Sequence, residues 1–374
     1  MRCVFISAMS GYPWGGSEEL WSQAALRLHK AGHQVSASVA HWPDMPSKLA
    51  ALQNAGIKLF PRKPLPNSLS DRILRRVKRR FFQETPKEHQ WLLDQKPELL
   101  VISQGGITDG IEWMEFCVAR SLPFAVIIQC NTEGWWPDDQ RAEKLAALYQ
   151  SAKVVFCVSR ANLTLLERQL GRPLPNASVV WNPCNVSPDQ VVAWPKDNVV
   201  WKIACVARLD PGAKGQDLLF EVMAKETWQN RPVEINLFGS GPCSRNLHRL
   251  VENFQLKNVR FKGHVGDIKE VWSENHLLVL PSRSEGLPLA LVEAMWCARP
   301  AVVTDIGGNM EVCLDGETGF VATAPTVRSL GEALERAWQR RQEWQEIGKA
   351  GRALAEKLIP KDPVGDFCQK LTGC

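Results

Sequence analysis

Short strand-like runs that alternate with helix-period stretches constrain this chain more than any other feature. From Met1 to about Asn182 the runs CVFIS, QVSASVA, ELLVIS, FAVIIQ, KVVFCVS and SVVWN are rich in β-branched and apolar residues, and helical periods lie between them. Between Glu18 and Lys30, for example, Leu20, Trp21, Ala24, Ala25 and Leu28 share one face, with Ser17 predicted as N-cap and Gly32 as terminator. Strand then helix, repeated, means a parallel sheet covered on both faces. The polar, proline-marked stretch NVSPDQVVAWPKDN, Asn185 to Asn198, interrupts the series. It restarts at WKIACVA and runs through VEINLFG, VRFKG, HLLVLPS, PAVVTD and GFVAT to a charged amphipathic helix expected around Leu330 to Lys357. The expectation is an α/β chain of two doubly wound, Rossmann-like domains, 1–187 and 188–358. Their strand ends would face each other across a cleft, with the tail 359–374 packing back on the first domain.

Length supports two domains, because 374 residues exceed the size at which one core usually keeps growing. The net charge of +5, from 45 basic and 40 acidic residues, favours anionic ligands without demanding nucleic acid. Eleven cysteines, an odd number scattered without a C-x-x-C pair, fit a disulfide framework badly and point to a reducing, cytoplasmic setting. The opening MRCVFISAMSGYPWGG has the charge and short apolar run of a secretion signal but lacks a small-residue cleavage pattern, so it reads as a first strand. No apolar run approaches the roughly 20 residues that span a bilayer, so membrane contact is expected to be peripheral. The stretch DRILRRVKRRFF, Asp71 to Phe82, holds six basic residues with Ile73, Leu74, Val77 and Phe81 at helical spacing. It suits an anionic membrane face through residues 72–82, or equally a solvated helix on its own domain. No recognition module accompanies these charges, and no nucleic-acid partner is expected.

Chemistry concentrates in the second half. In VLPSRSEGLPLALVEAMWCARPAVVTDIGG a buried strand ends near Ser282, a loop carries Ser284, Glu285 and Gly286, and Pro288 suits the first turn of a helix running to about Ala298. The free N–H groups near Leu287, Leu289 and Ala290 would suit phosphate or sugar oxygens. Glu285 stands at the mouth of that helix and Glu293 lies inside it. An ionised carboxylate only accepts hydrogen bonds, so each can hold a pair of hydroxyls. Ahead of them, CVARLDPGAKGQDLL places Arg208 and Lys214 around a Pro211-Gly212 turn at a strand end, where two cations suit a diphosphate. Taken singly, each motif could be a set of surface charges or a capping glutamate. Their combination is far less ordinary.

The run Arg208, Lys214-Gly215, FGSGP (Phe238 to Pro242), PSRSEGLPLALVEAM (Pro281 to Met295) and DIGGNMEV (Asp305 to Val312) resembles the GT-B retaining glycosyltransferases of family 4, the glycosyl transferases group 1. GGSEE from Gly15 and AGHQV from Ala31 look like that family's opening loop and first helix end, so the likeness covers nearly the whole chain. The resemblance implies a GT-B fold and a metal-independent, retaining transfer, of hexosyltransferase type, from a nucleotide-diphosphate sugar to a glycan or lipid-linked acceptor. It implies no cofactor besides that donor substrate. Arg208 and Lys214 would neutralise the donor diphosphate, Glu293 would bind the ribose diol and Glu285 would face the transferred sugar. Backbone N–H groups of Gly16, Leu289 and Ala290, with Gly239, Gly286 and Leu287 beside them, would lie near phosphate or sugar oxygens, and His264 and Val265 near the base. Glu18 would sit on the acceptor side. The metal-dependent alternative needs a D-x-D motif, which the sequence does not contain.

One position departs from the family. Where a histidine commonly ends the strand, this chain has Gln129, followed by Cys130 and Asn131. Glutamine can position a hydroxyl but takes no proton at ordinary pH. In a front-face retaining mechanism the leaving phosphate itself can accept that proton. Just beyond, NTEGWWPDD presents Trp135 and Trp136, either as acceptor-side stacking surfaces or as core, in a chain of 15 tryptophans. Two other readings share this plan: a nucleotide-sugar-binding protein that has lost transfer, and a sugar-nucleotide epimerase. A glycoside hydrolase has no need of the two diphosphate cations. A dinucleotide oxidoreductase would want G-x-G-x-x-G after the first strand, where SGYPWGG stands instead.

Overall fold

The computed structural model describes residues 1–9, 11–62, 86–187, 189–196 and 199–373. The basic stretch 72–82 lies outside them. Two compact units separate, one comprising Met1–Val158, Leu163–Asn182 and Asp362–Cys374, the other Ser159–Asn162 and Pro183–Lys361. No helix among the described residues is long and apolar enough to cross a membrane.

The first unit is built on a seven-stranded sheet from β1 (Arg2–Ser7), β2 (Gln34–Ala40), β3 (Lys58–Arg62), β4 (Leu99–Gln104), β5 (Phe124–Ile128), β6 (Val154–Cys157) and β7 (Ala177–Val179). The order is β3-β2-β1-β4-β5-β6-β7, every pairing parallel. Successive side chains leave opposite faces of a strand, so each apolar run feeds two cores. Phe5, Val101, Ala125 and Ile127 pack on one face with Leu20, Trp21, Ala24 and Leu28 of the helix Glu19–Lys30 and with Phe367 of the helix Pro363–Thr372. Val4, Ile6, Leu100, Ile102, Val126 and Ile128 pack on the other face, against Met114, Leu145, Tyr149 and Leu166. Phe367 meets Phe156 edge-on at 5.0 Å, and Arg27 pairs with Asp362 at 2.6 Å.

The second unit carries β8 (Trp201–Val206), β9 (Val233–Phe238), β10 (Val259–Gly263), β11 (Leu277–Leu280), β12 (Ala301–Thr304) and β13 (Phe320–Ala322) in the order β10-β9-β8-β11-β12-β13, again all parallel. Both sheets therefore reverse direction of progress beside their first strand, β1 between β2 and β4, and β8 between β9 and β11. That reversal is the topological switch point, where loops diverge and open α/β sheets bind ligands.

Three local expectations are corrected. Strand β3, KLFPR, is absent from the sequence reading; its Pro61 is tolerated because β3 pairs only with β2, at the edge. Ser17 is not an N-cap: a 3-10 turn, Gly16–Glu18, precedes the helix, and the Ser17 hydroxyl donates instead to Met9 Sδ at 3.1 Å. The single helix expected over Leu330 to Lys357 is two, Val327–Gln339 and Trp344–Leu358, separated by the 3-10 turn Arg341–Glu343. The break lets Trp344 bury its ring against Trp201 at 5.0 Å and donate Nε1–H to the Ala337 carbonyl at 2.8 Å. Gly32, at φ +86, does end the first helix, where Leu28 O accepts from His33 N at 3.1 Å.

Candidate active site

Because β8 and β11 are neighbours, the loops that leave their carboxyl ends meet. Beyond β8, Ala207 N bonds to Phe238 O and Leu209 N to Ser240 O, each at 3.0 Å, and between them Arg208 projects with its guanidinium 3.0 Å from Asp210. The expected Pro211-Gly212 turn is one helical turn, Pro211–Lys214, closed by Gly215 at φ +64. A β-carbon on Gly215 would stand 1.9 Å from the Pro281 carbonyl, so only glycine lets this turn rest on the β11 loop. The rest of the β11 loop is clamped to the same turn. Arg283 N and Ser284 N bond to Ala213 O at 2.8 and 3.2 Å, and the Arg283 guanidinium grips both oxygens of Asp217 at 2.6 and 2.7 Å while reaching Pro211 O at 2.7 Å. The hydrogen bonds to Asp217 hold the Arg283 pKa above its ordinary value.

The clamp sets Lys214 Nζ 2.7 Å from Glu285 Oε1, which also accepts from Ser282 Oγ at 2.7 Å. Glu285 is buried, and its backbone is fixed from below, since Gly308 N bonds to Gly286 O at 2.7 Å and Gly307, at φ +56, leaves no room for a β-carbon beside the Glu285 carbonyl. The helix after it spans Leu289–Trp296, with Pro288 as N-cap rather than first helical residue. Leu287 and Ala290 are buried and Leu289 is half-buried at its start. Glu293, in the second turn, is buried and takes Asn185 N at 3.2 Å and Asn185 Nδ2 at 3.0 Å on Oε1. Gly239, after β9, donates its N–H to Gly263 O at 2.8 Å, and the exposed His264 and half-buried Val265 follow directly.

The remaining sequence-predicted residues belong to the first unit. Gln129 continues β5, with its N–H on Gln104 O at 3.1 Å and its Oε1 accepting from Asn182 Nδ2 at 2.7 Å. The loop beyond it is held by a buried amide network in which Asn131 Nδ2 donates to Gln169 Oε1 at 2.8 Å and Gln169 Nε2 donates to Thr132 O and Trp135 O at 3.0 and 2.8 Å. Trp135 packs against the core, whereas Trp136 is 54% exposed. Gly16 is exposed at the head of its 3-10 turn. Glu18 is buried, accepts from Trp21 Nε1 at 2.9 Å, and is pushed up to about 7, mainly by burial, with Arg62 opposing.

That shift makes a pH prediction. The fold favours the neutral acid, so Glu18's contribution is fully present below the unfolded value near 4.5 and is lost as pH rises through about 7. Against Glu18→Gln, the first unit of the parent chain is expected to lose on the order of 2 to 3 kcal/mol between pH 4 and pH 8, read by chemical denaturation. Parallel pH profiles for the two proteins would contradict the placement.

Residues 188–354, somewhat less than half of the chain, match the family described as glycosyl transferases group 1. This segment belongs to that family. Within it fall Arg208, Lys214, Glu285 and Glu293. Two glycosyltransferases are among the similar proteins. An uncharacterized glycosyltransferase, MJ1178, of Methanocaldococcus jannaschii is 27% identical over 153 residues, 39% of this chain and 40% of that protein. The D-rhamnosyltransferase WbpZ of Pseudomonas aeruginosa is 26% identical over 151 residues, 39% of this chain and 38% of that protein. Each match therefore spans only about two-fifths of its relative's length. Over the whole chain, the crystal structure of Anabaena Alr3699/HepE in complex with UDP-glucose superposes with a TM-score of 0.75, covering 99% of both chains at 17% identity. The shared architecture is GT-B.

Sequence reading missed Ser282, Arg283, Asp217 and Asn185 as members of this candidate site. Ser282 and Arg283 lie inside the quoted loop, but their partners Glu285 and Asp217 become meaningful only once β8 and β11 are adjacent. Chemically, the site offers two cations, each already engaged with a carboxylate that ligands can compete for, and Glu293 over a turn deeper in the helix.

Proposed function

We propose that the chain is a metal-independent retaining glycosyltransferase that moves a sugar from a nucleotide-diphosphate sugar to a glycan or lipid-linked acceptor. The observation that carries this reading is the convergence of Arg208 and Lys214 with Glu285 on two interlocked loops. Leaving-group departure puts negative charge on a diphosphate, and cations fixed beforehand stabilise that charge more in the transition state than in the ground state. In this reading Lys214 exchanges part of its contact with Glu285 for a phosphate oxygen, Glu285 turns to sugar hydroxyls, and Glu293 receives the ribose diol. The bond from the anomeric carbon to the phosphate oxygen breaks, the acceptor oxygen bonds to the same face, and the acceptor's proton passes to the leaving phosphate. A neutral Gln129 is compatible with that route. Trp136, exposed beside the hydrogen-bonded Trp135 carbonyl, offers a stacking face to an acceptor sugar.

The test is a panel of UDP- and GDP-sugars labelled in the sugar, scored for transfer and for donor hydrolysis in the presence of EDTA, with product configuration read by NMR. The expected result is turnover that survives EDTA and a product with the donor's anomeric configuration. Complete dependence on added metal, or an inverted product, would overturn the mechanism. The neutral Gln129 also favours a second reading, a nucleotide-sugar-binding protein without transfer. Donor binding with neither hydrolysis nor product from any acceptor would select it.

A further inference from the structure

We infer that Asn182, together with Gln129, forms a neutral amide pair that holds one hydroxyl of the sugar substrate. The inference rests on the glycosyltransferase reading for the identity of the ligand, and on first-unit geometry for everything else. Gln129 is 7% exposed and Asn182 Nδ2 donates to its Oε1 at 2.7 Å. The two other amide atoms, Gln129 Nε2 and Asn182 Oδ1, are buried and without a hydrogen-bond partner. Unmet polar atoms shut away from water are uncommon in folded proteins, and each asks for a partner, either a ligand group or an ordered water.

The pair's chemistry survives the usual ambiguity of side-chain amides. If both were turned over, Gln129 Nε2 would donate to Asn182 Oδ1, leaving Gln129 Oε1 and Asn182 Nδ2. Either way one donor and one acceptor remain. A hydroxyl satisfies both at once, because it accepts at oxygen and donates its hydrogen. An ammonium group only donates and an ionised carboxylate only accepts, so each would leave one amide atom unmet. Neither amide titrates, so this recognition does not vary with pH as a histidine in the same place would. The location agrees with a ligand role. Gln129 continues β5 and Asn182 follows β7, both beyond the carboxyl ends of the sheet. The backbone is firm there: Gln129 N bonds to Gln104 O, and Gln104 in turn accepts from Tyr149 OH at 3.0 Å.

The test is a cycle between protein amide and substrate hydroxyl. The kcat/KM of wild type and Asn182→Ala is compared for UDP-glucose and its monodeoxy analogues, and separately for an acceptor glucoside and its monodeoxy analogues. One analogue is expected to cost wild type about 10- to 100-fold and to cost Asn182→Ala almost nothing. Whichever series contains it identifies the hydroxyl as donor or acceptor. Losses that multiply for every analogue, or Asn182→Ala within twofold of wild type on the parent substrates, would overturn the pair. A second measurement does not depend on the variant's folding or on turnover. In crystals soaked with UDP-glucose or the glucoside, a sugar oxygen should lie within hydrogen-bond distance of both amides, and water alone at that spot counts against the inference. Should Asn182→Ala behave like wild type while Arg208→Ala is inactive, this inference fails and the glycosyltransferase reading stands.

Discussion

Arg208→Ala is expected to lower turnover of the nucleotide sugar by about 10²- to 10³-fold, the loss that follows removal of one preorganised donor from a developing anion. On the proposed glycosyltransferase reading the loss should fall on kcat as well as kcat/KM, because the charge Arg208 would meet is larger in the transition state than in the bound donor. Stability should barely move. The Arg208–Asp210 pair is partly exposed, with side chains 34% and 21% accessible, and such pairs contribute about 0–1 kcal/mol. Arg208→Lys should recover only part of the rate, since an ammonium keeps the charge but not the planar fork. Lys214→Ala is a less clean probe, for it also leaves the buried Glu285 carboxylate without its cation. A steady-state rate for Arg208→Ala within threefold of wild type, on a verified donor, would place the diphosphate elsewhere.

What the sequence could reveal of this site follows from what its motifs depend on. Parallel strands are buried on both faces and read as continuous apolar runs, so the series CVFIS to SVVWN and WKIACVA to GFVAT announces both sheets. The edge strand KLFPR has neither the run nor a proline-free core, and it escapes. Lys214 and Glu285 lie 71 residues apart, yet both are legible, because each sits in a local strand-end loop whose residue types suit anions and hydroxyls. Their partners are another matter. Asp217 looks like an ordinary helix residue until Arg283 closes on it, and Asn182 like the end of a strand until Gln129 faces it. The split of the helix near Arg341 is equally hidden, since it comes from the burial of Trp344 against Trp201 rather than from a local breaker.

Arg299→Met is expected to destabilise the second unit by about 3 to 5 kcal/mol and to lower its melting temperature by about 10 °C in calorimetry. Arg299 is 1% exposed, and its partners are all backbone carbonyls. Nε donates to Trp272 O and Asn275 O, each at 3.0 Å, Nη1 to Cys297 O, and Nη2 to Ala193 O and Trp272 O, while the guanidinium lies 5.0 Å from the Trp194 ring centroid. Burial brings its pKa down to about 10, which still leaves it charged at neutral pH. Methionine matches the length of the stem but leaves the Trp272, Asn275 and Cys297 carbonyls, whose bonds to Arg299 are buried, without that donor, while Ala193 is exposed and can turn to water; each unmet buried acceptor costs about 1–3 kcal/mol, less than additively. Lysine keeps the charge, yet a single ammonium cannot meet carbonyls arranged around a planar fork, so Arg299→Lys should recover less than half of the loss. Because one of these carbonyls belongs to Ala193, in the irregular segment before β8, the variant should also expose Trp194, seen as a red shift of tryptophan emission below the melting transition. A melting temperature within 2 °C of wild type for Arg299→Met would mean that these carbonyls find water after all, and that the guanidinium fills space rather than organising the segment around it.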